Sequence, residues 1–154
     1  MSENSANSTP QPNGPSKEHK LLDVLVGKWN AEGITKDGRT VAIHAVDTYE
    51  WLPGGYFMMH RTAARVGDDE YESVEIIGYD AELKAYPMRF FDSWGQTGTY
   101  QATVHANIWK IVGDSGRATL VVSDDGQSMT ANWEMSPNGS DWHPWMDLKL
   151  TKAT

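Results

Sequence analysis

Apolar and polar positions follow two patterns along the chain. Between Lys17 and Val26 the apolar residues Leu21, Leu22, Leu25 and Val26 recur at steps of three and four, the period of a short amphipathic helix near 17–25 that Gly27 can stop. From Trp29 onward the period falls to two, in short runs separated by turn signals such as Asp37-Gly38, Pro53-Gly54-Gly55, Gly67-Asp68, Asp125-Gly126 and Asn138-Gly139. Ten strands are predicted, near 27–36, 40–51, 56–65, 71–79, 85–94, 99–105, 108–112, 117–123, 128–136 and 141–151. Every connection is short, so the strands form an antiparallel meander. A meander of that length exposes an edge at each end unless it closes, and the expected fold is an all-β closed barrel with a short N-terminal helix. Residues 1–16, rich in Ser, Asn, Pro and Gly, read as a disordered tail, leaving 17–154 as the barrel domain.

Turns at known positions set the register, and the register sets the faces. Tight hairpins at Asn138-Gly139, Asp125-Gly126, Asp114-Ser115 and Ala106-Asn107 put Tyr100, Trp109, Met129, Trp133, Met135, Trp142 and Met146 on one almost purely apolar face, the expected interior. Continuing through Gln96-Thr97 adds Arg89, Phe91 and Ser93. From the other end, Asp37-Gly38 and Pro53-Gly54 place His44, Thr48, Glu50, Met59 and Arg61 inside if Trp29 points inward. One β-bulge would invert that assignment for strands 2 and 3. This register leaves Tyr49, Trp51, Tyr56, Met58, Phe90 and Trp94 on the outer wall, more contiguous apolar surface than a monomer normally exposes. Either they form a homodimer interface, which is expected, or the faces are inverted and they line the pocket.

The balance of 21 acidic against 13 basic residues, a net charge of −8, argues against nucleic acid and anionic membrane surfaces as partners. The absence of cysteine removes disulfide and thiolate chemistry. With no apolar segment long enough for a membrane helix and no signal-like start, a cytoplasmic location is expected. His19, His44, His60, His105 and His143 are scattered, with no two close in sequence, so no metal site is expected, and no cofactor. No Gly-x-Ser-x-Gly elbow is present, and Asp92, beside Ser93, faces the opposite way.

Leu25-Val26-Gly27-Lys28-Trp29, Trp51-Leu52-Pro53-Gly54-Gly55, Gly78-Tyr79-Asp80, Phe91-Asp92-Ser93-Trp94-Gly95 and Trp142-His143-Pro144-Trp145-Met146-Asp147 occur in that order. Together they resemble a bacterial calycin-like, lipocalin-like family catalogued as domain of unknown function 1579, over about residues 20–152. The resemblance implies a calycin barrel and brings no catalytic residues. A more distant similarity is to the ten-stranded haem-binding barrels of the nitrobindin type, which implies an inward histidine near the end of the barrel. His143 is the candidate, although the Asn138-Gly139 register pairs it with Glu134 on the outer face.

The polar interior residues suggest what the barrel holds. Arg61 and Arg89, with His44, Ser93 and Tyr100 nearby, form either a clamp for the anionic head of a ligand or internal ion pairs with Glu50 or Glu72. The first function considered is a carrier or sensor for a small amphipathic molecule, acidic if the clamp is real, lying against Trp109, Trp133, Met135 and Met146. The alternative is an isomerase- or cyclase-like enzyme in the same cavity, with His44, Glu50 and Tyr100 for acid–base chemistry. Haem binding is a further alternative.

Overall fold

Alternating apolar and polar residues build ten strands: β1 (Gly27–Thr35), β2 (Ala42–Trp51), β3 (Met58–Val66), β4 (Asp69–Ile77), β5 (Tyr86–Asp92), β6 (Thr97–His105), β7 (Ile108–Val112), β8 (Gly116–Val122), β9 (Ser128–Met135) and β10 (His143–Lys152). The structure is a computed structural model that describes residues 14–154. Each strand pairs antiparallel with the next in sequence, and β1 pairs with β10, so the sheet closes into a barrel with no free edge.

One end of the barrel is plugged. Helix α1 (Lys17–Lys20) and the 3-10 turn Leu21–Leu25 lie across it, with Leu22 and Leu25 buried in a cluster that includes Trp29, Met58, Ile77, Tyr86 and Trp109. Burial supplies most of the adhesion, and three hydrogen bonds fix the angle. Trp29 Nε1 donates to the Leu25 carbonyl at 2.9 Å, Trp51 Nε1 to Asp23 at 2.7 Å, and the Tyr86 hydroxyl to the Glu18 carbonyl at 2.7 Å. Of the expected tail, residues 1–13 lie outside the described residues. Ser16, at its end, caps α1 by accepting from the His19 N–H.

Between β6 and β9 the register matches the sequence reading. His105 pairs with Ile108, Ile111 with Ala118 and Val122 with Met129, so Tyr100, Trp109, Trp133 and Met135 face inward. At β9–β10 the connection is longer than a tight turn. Met135 pairs with His143, and a bulge at Trp145 brings Trp133 opposite Met146. Met146 therefore points in as expected, whereas Trp142 lies on the outer wall with the Arg117 guanidinium 4.2 Å over its ring. His143 is opposite Met135, not Glu134, and is exposed at the rim.

Two loops invert the remaining expectations. Residues 36–41 form a longer connection than the tight Asp37-Gly38 turn, so Trp29 pairs with Asp47 instead of Val46. A slip of one residue exchanges the faces of the strand, and the exchange passes on to β3 through the Tyr49–His60 pairing. The four-residue loop 93–96 does the same to β5, where Met88 pairs with Tyr100. His44, Glu50, Arg61, Arg89 and Ser93 are consequently exposed on the outside. Tyr49, Trp51, Met58 and Phe90 face the interior, which removes the contiguous aromatic surface on which a homodimer was expected. Trp94 remains exposed at the β5–β6 tip.

Candidate functional site

The inward face changes character along the barrel axis. Next to the plug it is filled by large side chains with essentially no exposure, among them Trp29, Met58, Ile77, Trp109 and Met129. Trp109, expected to touch ligand, is sealed into this floor. Toward the opposite end, several inward positions on β2–β4 are occupied by small residues, Ala45, Ala64 and Ser73, which are half-buried although they point in. Small side chains cannot fill a lumen of fixed diameter. The partial exposure of these inward-facing residues shows that water reaches this half of the lumen.

A polar belt lies where the packed floor meets the open half. Register pairs Tyr49 with His60 and His60 with Glu75, while Asp47 pairs with Thr62. The His60 Nε2 donates to Asp47 Oδ1 at 2.7 Å and its Nδ1 to Glu75 Oε1 at 3.0 Å. The Thr62 hydroxyl donates to the same Asp47 oxygen at 2.7 Å. The Tyr49 ring stacks on the imidazole at 3.9 Å, with an interplanar angle of 8°. Burial alone would lower the His60 pKa, but the hydrogen bonds to Asp47 and Glu75 and their negative charge outweigh it and hold the pKa at about 9. His60 is thus a cation at neutral pH, with both nitrogens engaged. Burial, reinforced by Asp47 and Glu75, keeps the Tyr49 phenol well above its ordinary range.

An aromatic wall adjoins the belt, with Phe90 paired to Glu75 across β4 and β5. Phe90 stacks on Tyr100 with centroids 5.6 Å apart, Tyr100 meets Trp133 edge-on at 5.5 Å, and Trp133 meets Trp145 edge-on at 5.7 Å. Glycines make room for it. A Cβ on Gly113 would lie 2.6 Å from two Tyr100 ring carbons, and one on Gly98 would lie 2.9 Å from the Phe90 ring. Burial, and then the Glu75 charge, raise the Tyr100 pKa, so wall and belt act on one another. At the rim the Tyr71 hydroxyl donates to Asp92 at 3.1 Å.

Of the residues singled out from sequence, Tyr100, Trp133, Met135 and Met146 meet in the open half. Arg61 and Ser93 instead line a depression of about 410 Å³ on the outer wall with Val46, Val74 and Phe91. Ser93 is engaged there in accepting from the Glu72 N–H at 2.9 Å. His44, Glu50 and Arg89 stand exposed on that same side of the sheet, so the arginine clamp does not form inside the barrel, and the acid–base set keeps only Tyr100 there. Among the described residues no three ligating side chains converge as a metal site. Sequence reasoning missed Asp47, His60, Thr62, Glu75 and Trp145, and named Phe90 only in the alternative with the faces inverted. A usable signal existed: Arg61 and Arg65 share one face of β3, and burying two guanidiniums inside a barrel is costly.

The crystal structure of Rv2717c from M. tuberculosis superposes with a TM-score of 0.71 at 12% identity, covering 90% of this chain and 99% of that one. The structure of the S-type phycobiliprotein lyase CPES from Guillardia theta gives a TM-score of 0.55 at 6% identity, covering 93% and 99%. At such identities the likeness is one of fold. No curated protein matches the sequence. A family model described as protein of unknown function (DUF1579) matches residues 14–152.

Proposed function

The chain belongs to the DUF1579 family, and from that premise we propose that it binds a small amphipathic molecule in the open half of its barrel, as a carrier or sensor. The family description assigns no activity, so the reading comes from the site. The observation that carries it is the gradient along the inward face, from a packed floor to a half-buried wall of Phe90, Tyr100, Trp133 and Met135 above a polar belt. Ligand pockets typically pair a mainly apolar wall with a few fixed polar groups, and both are present here. The outer depression around Arg61 is open and would leave most of a ligand in water. The fold shared with a phycobiliprotein lyase is in keeping with a barrel used to hold a small molecule.

Binding is favoured over catalysis by the state of His60. Both of its nitrogens are committed to carboxylates, so it has no free position from which to exchange a proton with a substrate. The same commitment leaves His60 no nitrogen for haem iron, and His143, the histidine considered for that role, lies exposed at the rim. The test is a titration with Nile red, a neutral dye whose emission rises in apolar surroundings. Wild-type protein takes up the dye at a saturable site, and Ala64→Trp, which fills the open half, removes uptake with the fold retained by circular dichroism. Equal uptake by both proteins would place the dye outside the barrel and sink the proposal.

A further inference from the structure

We infer that the ligand of this lumen carries a cationic head of the organic ammonium class. The inference rests on the lumenal reading above and adds the sign of the charge. Along the inward face of β2–β5 the charged residues are Asp47, Glu75 and Asp92, with Asp69 at the rim, against one histidine, His60. Even with His60 protonated, the Asp47–His60–Glu75 group carries one net negative charge. Its carboxylates accept at Asp47 Oδ1 and Glu75 Oε1, and among the described residues Asp47 Oδ2 and Glu75 Oε2 accept none. The arginines that would have attracted an acid lie outside the barrel.

Two further observations bear on the same site. Tyr49 is only 8% exposed and faces inward, stacked on His60, yet among the described residues its hydroxyl has no hydrogen-bond partner. That hydroxyl is not sealed from solvent and can accept from, or donate to, a ligand there. Beside Glu75, across the β4–β5 pairing, begins a row of rings, Phe90, Tyr100, Trp133 and Trp145, linked ring to ring within 5.7 Å. The faces of such rings are negative and attract cations, and aromatic cages are a recurrent solution for ammonium groups. An ammonium head beside Glu75 therefore has free carboxylate oxygens and aromatic rings in one neighbourhood. An acid would meet repulsion from both.

The experiment compares three probes of similar size at neutral pH by calorimetry: 2-phenylethylamine, 2-phenylethanol and phenylacetate. One charge-assisted hydrogen bond corresponds to about a ten- to hundredfold change in affinity, so the amine should bind tighter than the alcohol by about that factor, and phenylacetate weakest of all. Glu75→Gln should reduce the amine's advantage about tenfold with the fold retained by circular dichroism, while Nile red uptake by the wild-type protein serves as proof of an intact lumen. Arg61→Ala, on the outer wall, should change none of the three affinities. Equal binding of amine and alcohol, tighter binding of phenylacetate, or no binding of the amine by protein that takes up Nile red would each overturn the charge assignment alone. Failure of Nile red uptake as well would overturn the lumenal reading with it.

Discussion

His60 is held as a cation because two carboxylates, at 2.7 and 3.0 Å, more than offset the cost of burying it. This has a consequence for stability. Its pKa rises from 6.5 to about 9 in the folded barrel, so the folded state binds the proton more tightly than the unfolded chain. The stabilisation is complete below pH 6.5 and is lost as pH climbs through about 9. The loss should be about 3 kcal/mol, since the side chain is well shielded from solvent. Urea unfolding at intervals from pH 6 to pH 10 reads it out, and His60→Gln should flatten the profile. A wild-type profile as flat as the variant's would mean that the imidazole is not held as a cation. None of this was legible before the fold was known. Asp47, His60 and Glu75 lie on three strands, and their meeting depends on a register that sequence spacing alone assigned wrongly.

Among the elements, the connections decided which expectations held. The hairpins at 106–107, 113–116 and 125–126 have the predicted pairings, and β6–β9 accordingly show the expected faces. The loops at 36–41 and 93–96 are longer than two residues, and each shifts the register by an odd number. Since side chains alternate with period two, an odd shift moves a whole set of residues from one wall to the other. The strands themselves, set by alternation and turn residues, were readable with little error. Two element-level predictions follow from packing. Leu22→Ala, in the plug, should cost about 2–5 kcal/mol, measured by chemical denaturation, because Leu22 is completely buried against the floor. Gly113→Ala should cost about 1–3 kcal/mol by driving the new methyl into Tyr100, and Tyr100→Ala in the same background should recover part of that loss. A neutral Gly113→Ala would mean that the ring does not lie over the glycine.

For the whole molecule, closure of ten strands accounts for where a site can exist. A closed barrel offers an interior and an exterior, and the plug of α1 and its 3-10 turn leaves one end of the interior for entry. The closed meander and its terminal helix were visible in the chain, as was the almost wholly apolar interior of the last four strands. The sign of the polar site was not: two arginines placed inside by a slipped register suggested an acid, whereas the interior holds carboxylates. The most direct test of the account is a map of backbone amide shifts on titrating the protein with 2-phenylethylamine. The account predicts shifts concentrated on Thr62, Ala64, Ser73, Gly98 and Met135, around the open half of the lumen. Shifts concentrated instead on Val46, Ala63, Val74 and Phe91 would place binding in the outer depression and contradict it.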